Sequence, residues 1–331
     1  MTIPKITVLV PMYNVEKYVS KCLESLINQT FSDFEVWAVS DGSPDNSAEI
    51  VRQYCKKDSR IKLIEKSNGG YGSVLQYGVD NIESKYFIIC DPDDWLSKDA
   101  LEKLYTFAER NNLDLTIGDK YTVCDGEITY AKTFENFRKV KARKVYTSSE
   151  MIQYFSFGTV SPHAKLFKLD ITRGIKFPTH VSYTDFVLYT LSLANSHRVA
   201  YIDDALAFYL IERPGNTRTD VRPKIISNYL TGCKSTIVQL ENYGIERYPV
   251  LLFRIIDQIL FIMREYKRVT DTSFRDRQWQ TIIAILNYLG MYRRFLLNNS
   301  CLNTEDKIKV RLLLNKKYNR LISKWLVKYK Y

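Results

Sequence analysis

The chain has 331 residues, 45% of them hydrophobic, and a formal net charge of +11, enough length and apolar content for two domains, or one domain with a large appendage, around a real core. No stretch reads as a membrane span: the most apolar one, 248–263, is too short and is interrupted by Arg254 and Asp257. The opening Met1-Thr2-Ile3-Pro4-Lys5 runs straight into strand-like sequence, so no signal peptide is expected, and six scattered cysteines (Cys22, Cys55, Cys90, Cys124, Cys233, Cys301) without C-x-x-C, beside three histidines without zinc-ligand spacing, predict free thiols in a reducing cytoplasm.

Along residues 1–117 strand and helix signals alternate. Ile6-Thr7-Val8-Leu9-Val10 is a continuous apolar, β-branched run of the kind that forms a buried parallel strand. Val15, Val19, Cys22, Leu23, Leu26 and Ile27 carry helical spacing over 15–28. Phe34 to Val39 is a second strand, Asp45 is placed to cap a helix over 47–56, and Ile61 to Ile64 is a third strand. Residues 71–81 read as a helix, 86–90 as a fourth strand, 101–111 as a helix and 113–117 as a fifth strand. Such a βαβα succession predicts a parallel sheet with helices on both faces and ligands at the carboxyl ends of its strands.

The middle of the chain is mixed. Short strand-like pieces and basic residues over 120–146 suggest a loop-rich connection. Residues 148–157 read as a helix, 164–167 as a strand, 184–195 as a helix, and 199–202 and 207–211 as strands, followed by turn-prone Glu212 to Asn216. From about Lys224 the pattern is wholly helical, over 225–242, 249–267, 274–299 and 304–331. Charge divides at the same place: residues 1–220 carry a net −2 and 221–331 a net +13. A basic helical half suggests an anionic partner such as membrane lipid, polyphosphate, nucleic acid or an acidic acceptor.

The rule for parallel sheets gathers four segments on one rim: Pro11-Met12-Tyr13-Asn14, Ser40-Asp41-Gly42-Ser43, Asn68-Gly69-Gly70-Tyr71-Gly72 and Asp91-Pro92-Asp93-Asp94. The glycines allow positive φ and close backbone approach ahead of a helix N-terminus, an arrangement that suits a diphosphate. The fourth segment is the most telling, because an apolar strand runs directly into three carboxylates. Crowded negative charge destabilises the fold unless a cation or ligand offsets it. Mg²⁺ or Mn²⁺ fits, since these hard ions take carboxylate oxygens and leave positions for substrate phosphates. The plainer reading is an acidic loop opening the next helix, with Ser97 or Asp99 as its cap.

Five blocks, in order and with compatible spacing, resemble the family 2 glycosyltransferases: Val8 to Asn14, Cys22 to Thr30, Ser40 to Ser47, Asn68-Gly69-Gly70, and Asp91 to Asp94. A fainter likeness extends to about residue 220, and the helical tail has no counterpart that the sequence alone identifies. The resemblance implies a GT-A nucleotide-sugar-binding fold with a mostly parallel central sheet over 1–220, its nucleotide half about 1–117 and its acceptor half about 118–220, followed by a basic all-helical region over 221–331. It implies that Tyr13 stacks on uracil while Pro11 offers its carbonyl to the base, and that Asn14 contacts the nucleotide or braces its loop. Asp41 would accept the pyrimidine N3–H, which favours uracil or thymine over cytosine. Asn68 and Gly70 would line the diphosphate side. Asp91 would serve the ribose or a metal-bound water, and Asp93 would ligate Mn²⁺ or Mg²⁺ directly. Asp185 matches the second acid of the family's Glu-Asp pair, and as general base it would take the acceptor hydroxyl's proton in an inverting transfer. The alternative for Asp185 is a helix-start aspartate favoured by the dipole.

The match has departures. Ser40 replaces an acid, Thr184 replaces the Glu of the pair, and Leu75-Gln76 stand where many members have Arg-Asn, although Gln76 keeps hydrogen-bonding capacity. His163 and Lys165 could line the acceptor or phosphate side or serve structure, and Arg213 and Asn216 could fold over the diphosphate. The implied enzyme uses a UDP-sugar donor and a glycan, lipid-linked or protein acceptor at the cell surface. It would work in the cytoplasm or on the inner membrane face, where the Trp/Leu/Lys-rich end, 321–331, reads as an interfacial helix. A homo-oligomer is compatible, and no nucleic-acid motif appears. A non-catalytic nucleotide-sugar-binding scaffold is the alternative.

Overall fold

The computed structural model describes residues 3–135, 137, 139–211, 223–266 and 272–315. Arg213, Asn216 and the 321–331 segment lie outside the described residues. The chain forms two compact units, Met1–Thr219 and Asp220–Tyr331.

The first unit opens as its periodicity predicts: β1 (Ile6–Met12), α1 (Val19–Ile27), β2 (Phe34–Asp41), α2 (Ser47–Lys57), β3 (Ile61–Lys66), α3 (Tyr71–Asn81) and β4 (Tyr86–Ile89). Every residue of β1 is buried, as its unbroken apolar run requires of a strand covered on both faces. Helix α1 buries Val19, Cys22, Leu23 and Leu26, the i, i+3, i+4, i+7 stripe that faces a core. Each such side chain contributes about 1.5–3 kcal/mol by leaving water. The helix begins four residues later than the apolar spacing suggested, because residues 13–18 form the loop at the end of β1.

Next come β5 (Trp95–Leu96), α4 (Ala100–Asn111), β6 (Leu115–Cys124), β7 (Glu127–Ala131), β8 (Val145–Tyr146), α5 (Ser149–Gln153), β9 (Lys165–Lys168), α6 (Asp185–Asn195) and β10 (Val199–Leu210). The predicted helix over 148–157 is only α5 plus a 3-10 turn over Tyr154–Phe157. The two strands read over 199–202 and 207–211 are one irregular strand, β10, with register shifts around Ala205.

The sheet order is β3-β2-β1-β4-β9-β6-β10-β5, with β7 on β6 and β8 on β10. The longer interstrand pairings, β1 with β2, β2 with β3 and β6 with β10, are parallel, so the sheet is mixed but mostly parallel. The feature that simple βαβ succession does not predict is β9, which enters antiparallel between β4 and β6. Phe167 on β9 stacks on Phe87 of β4 at 5.3 Å and stands opposite Leu115 of β6, so one aromatic side chain fills both seams. At the far edge a cross-strand row, Trp95–Phe208–Tyr121–Tyr130, places ring centroids 5.2, 4.9 and 6.0 Å apart, and Lys21 Nζ caps Trp95 at 3.2 Å. That row ties the two-residue strand β5 to β10 and thereby fixes the acidic loop just before it.

The second unit holds α7 (Pro223–Asn242), α8 (Pro249–Tyr266), α9 (Thr272–Leu289), α10 (Arg293–Asn298) and α11 (Thr304–Leu313). Helix α8 is its centre, with Val250, Leu252, Ile255, Ile256, Ile259 and Ile262 all buried. The single helix predicted over 274–299 is broken by a 3-10 turn at Gly290–Tyr292. Glycine weakens a helix interior by about 1 kcal/mol, and the bend lets Tyr288 and Tyr292 donate to the same oxygen of Glu241, Tyr292 at 2.8 Å. Among the described residues no helix is long and apolar enough to cross a membrane.

Candidate active site

The four rim segments are joined by hydrogen bonds at the carboxyl ends of β1 to β4. Asn14, at φ +55°, donates its N–H to Ser43 Oγ at 2.8 Å, and Glu16 N–H reaches Asp45 Oδ2 at 2.8 Å. Glu16 in turn accepts from Asn46 N–H at 3.1 Å. Burial opposes the charge on Asp45, but hydrogen bonds from Ser43, Ser47 and two backbone N–H groups outweigh it and hold the carboxyl below its usual range. Asp45 thus staples the loops after β1 and β2 and also accepts from Ser47 N–H at the start of α2. Tyr13 is 53% exposed, leaving its ring open to stacking, while Pro11 is buried within β1.

Asp41 ends β2 and is 3% exposed. Its Oδ1 accepts from Lys66 Nζ at 2.6 Å and Gly69 N–H at 2.9 Å, and its Oδ2 from Gly70 N–H at 2.7 Å. A carboxylate has about four acceptor positions, so Oδ2 keeps room for one more donor. Lys66 spends its three protons on Asp41, Ser67 carbonyl and Ser73 Oγ. Asp41 therefore organises the glycine loop whatever else it binds. Exposed Asn68 stands at the tip of that loop.

The close approach that the glycines permit is to the chain's own 177–184 segment. Gly70 has φ +81°, and a Cβ there would meet His180 Cα at 2.9 Å. A Cβ on Gly72 would lie 2.3 Å from the Pro178 carbonyl oxygen and 3.0 Å from Thr184 Cγ2. Gln76 belongs to the same clamp: its Nε2 donates to Asp80 and its Oε1 accepts Phe177 N–H at 3.1 Å. Leu75 is buried, so the position where relatives carry arginine adds no charge to this rim.

The segment so clamped leads through Tyr183, at φ +63°, into Asp185, the first residue of α6. Asp185 Oδ1 is enclosed without a hydrogen-bond partner. Burial pushes the Asp185 carboxyl up to about 6, against the opposing pull of the nearby Tyr71 hydroxyl and the Lys165 charge. Tyr71 Oη donates to Asp91 Oδ1 at 3.0 Å, and burial, then the charges of Asp185 and Asp91, hold the phenol well above its usual pKa.

Beyond Asp91 the loop turns inward. Asp94 is 2% exposed; its Oδ1 accepts Leu210 N–H at 2.8 Å and its Oδ2 shares a 2.6 Å hydrogen bond with His163 Nε2. Burial raises the Asp94 carboxyl, aided by the charges of Asp93 and Asp91, and burial lowers the His163 imidazole, aided by Lys120 and Lys165. Both partners are driven toward their neutral forms. Ala164, at φ +51°, makes the turn between His163 and the fully buried Lys165, which donates to the Ser161 carbonyl.

Asp91, Asp94 and His163 bring ligand atoms within 4.8 Å of one another, a partly buried cluster able to coordinate a divalent cation. Asp93, half-buried beside it, is not in this cluster. The carboxylate oxygens suit a hard ion. Lys120 and Lys165 face His163, so the electrostatics favour a cation at the aspartate side of the cluster.

Sequence reasoning placed Tyr13, Asp41, Asp91 and Asp185 but missed the Tyr71 hydroxyl, read only as a helix start, and the Asp94–His163 pair. A tyrosine as first residue of a helix between two acid-bearing segments was the available signal for the former. Nothing local signalled the latter, whose partners lie 69 residues apart.

Residues 7–175, just over half of the chain, match the family model described as Glycosyl transferase family 2. Glycosyltransferase GlyA of Streptococcus pneumoniae serotype 4 is 28% identical over 324 residues, covering 95% of this chain, which spans only 44% of GlyA. The uncharacterized glycosyltransferase EpsJ of Bacillus subtilis is 28% identical over 251 residues, covering 73% of this chain and 72% of EpsJ. The crystal structure of S. aureus TarS 1-349 in complex with UDP-GlcNAc superposes with a TM-score of 0.69 at 19% identity, over 99% of this chain and 93% of that one, and shows the same fold. The GlyA and TarS matches extend through the helical tail, for which the sequence alone identified no counterpart.

Proposed function

The chain belongs to glycosyl transferase family 2, and from that premise we propose that it is an inverting, metal-dependent enzyme moving a sugar from a UDP-sugar to a hydroxyl of a cell-surface polysaccharide precursor, polymer or glycoprotein. The observation that carries the reading is the buried Asp185 carboxyl beside Tyr71, whose hydroxyl donates to Asp91 at the rim where the loops after β1 to β4 converge. A base whose pKa lies near working pH is both ionised and able to hold a proton, and Asp185 at about 6 meets that condition. In the proposed cycle Tyr13 stacks on the uracil, Pro11 and Asn14 border it, and the remaining acceptor position of Asp41 takes the base N–H. Asn68 and Gly70 border the diphosphate, while Gln76 acts through the clamp on 177–184. Asp91 serves the ribose side, and Asp185 receives the acceptor proton as the sugar carbon is attacked from the face opposite the leaving group.

Asp91, at the aspartate side of the Asp91–Asp94–His163 cluster, with Asp93 two residues on, would hold Mn²⁺ or Mg²⁺, which when bound would neutralise charge growing on the leaving nucleoside diphosphate. The UDP-GlcNAc held by TarS supports the choice of a uridine donor. The second unit is proposed to bring the enzyme to a lipid-linked or polymeric acceptor at the inner membrane face. Its excess of basic residues and the exposure of Ile308 and Leu312, one turn apart on α11, support that role. A homo-oligomer is compatible with the same surface.

Incubation with UDP-sugars and Mn²⁺ tests the function. UDP release that is stopped by chelator, restored by Mn²⁺ and lost in Asp185→Asn is expected. UDP binding without turnover on any acceptor would instead point to a scaffold.

A further inference from the structure

A cleft of about 410 Å³ opens where the stretch after β7, Lys132 to Glu135 with Phe137, meets Phe157 to Thr159. Small-molecule sites occupy about 300–1,000 Å³, so the space is large enough for a ligand. Its described lining includes no residue of the four rim segments. Phe137 and Phe157, both half-buried, stack with centroids 5.4 Å apart and planes at 20°, which gives the cleft an aromatic surface. Lys132 and Glu135 stand exposed at its edge, one a donor and the other an acceptor. A sugar ring matches this pairing. Its C–H face packs against the electron-rich face of an aromatic ring, and its hydroxyls both give and take hydrogen bonds. A site built for an anion would gather cations without the Glu135 carboxylate among them.

The framework behind the cleft is held on several sides. Thr133 donates its N–H to Asp119 Oδ1 at 2.6 Å and its hydroxyl to the Gly118 carbonyl at 2.7 Å, and its own carbonyl accepts Thr159 N–H at 3.1 Å. Phe134 is buried edge-on against Phe155 and Tyr201, with centroids 5.5 and 4.9 Å away. Gly158 lets the two stretches close on each other, because a Cβ there would fall 2.5 Å from Phe134 Cε1. Gly118 in turn gives its N–H to the Ala164 carbonyl at 2.7 Å. Two hydrogen bonds therefore connect Thr133 with the turn that carries His163, the partner of Asp94. The cleft is separate from the donor rim yet tied to the same framework.

We propose that this cleft is an acceptor subsite that holds a neutral sugar ring of the acceptor chain, next to the ring that reacts. The inference rests on the reading of the chain as a transferase acting on a glycan, and it deepens that reading by naming where and by what chemistry the acceptor is held. Neither Asp91 nor Asp185 lines the cleft, so the ring held here is not the one that attacks. It anchors the acceptor chain while a hydroxyl farther along reaches the base. No bond is made or broken at this site.

Saturation-transfer NMR titrations with cellobiose, lactose and mannobiose test the proposal. Expected is transfer to the ring C–H protons of at least one of the three, with affinity about 3- to 10-fold weaker in Phe137→Ala and in Phe157→Ala. UDP affinity by calorimetry in Mn²⁺ should stay within about threefold in both variants, since the donor rim is untouched. No transfer to any of the three disaccharides, or equal affinity in the wild type and both variants, would overturn the proposal. If the aromatic variants do not fold, the double substitution Lys132→Ala/Glu135→Ala changes only exposed side chains, and undiminished affinity there counts equally against it. The two levels separate. A wild type that takes up a disaccharide but releases UDP from no UDP-sugar removes the transferase reading and the acceptor role with it. One that turns over UDP-sugars and ignores all three disaccharides removes the cleft alone.

Discussion

Asp185→Asn should make the protein more stable while making it inactive. Burial pushes the folded carboxyl up to about 6 from its ordinary 3.8, and each tenfold change in proton affinity is worth about 1.36 kcal/mol. The sign follows from linkage. A raised pKa means that folding favours the protonated form, so the contribution to stability is full below pH ~4 and is lost as pH climbs through about 6. Above neutrality the native state carries a charge that it would rather not hold, at a cost of up to about 3 kcal/mol. Partial solvent access at Asp185 reduces this, and 1–3 kcal/mol is the expected order of magnitude, roughly 2–4 °C of Tm per kcal/mol for a unit of this size. Asparagine is neutral at every pH and nearly the same shape. Thermal unfolding of both proteins between pH 4 and 8, without donor or metal, is the assay. The stability gap should open from near zero at about pH 4 to its full size above about pH 7. Transfer activity should fall by roughly 10²–10⁴. Equal stability across the whole pH range would refute the claim that Asp185 is a carboxylate kept charged against its surroundings.

Three other outcomes follow from the same geometry. In the wild type, kcat/KM should fall about tenfold per pH unit below about 6 as the base becomes protonated; a profile flat to pH 5 would count against it. Asp41→Ala leaves the Lys66 ammonium and the Gly69 and Gly70 N–H groups without their acceptor, and should cost about 2–4 kcal/mol in urea unfolding along with UDP binding. Gly72→Ala should destabilise by about 1–3 kcal/mol although alanine favours helix, because its Cβ would enter the Pro178 carbonyl; a stabilised variant would mean that the clamp is looser than described.

The sequence by itself determined what depends on neighbours in the chain. The apolar run of β1 and the stripe on α1 dictate their elements because burial acts on local periodicity. The placement of Tyr13, Asp41, Asp91 and the glycine loop at strand ends follows from the handedness of βαβ connections, which puts all such ends on one rim. The family blocks then suggested a role for each. What tertiary structure alone decided was everything built from distant partners. The antiparallel entry of β9 between β4 and β6 depends on Phe167 filling two seams at once, and a four-residue strand carries no signal of its neighbours. The same holds for Asp94 with His163, and for Gly72 pressed against Pro178. Tyr71 shows the limit most plainly. Its place in the chain marks a helix start, and only tertiary packing brings its hydroxyl onto Asp91, 20 residues away, because a hydrogen bond reads distance in space and periodicity reads distance along the chain.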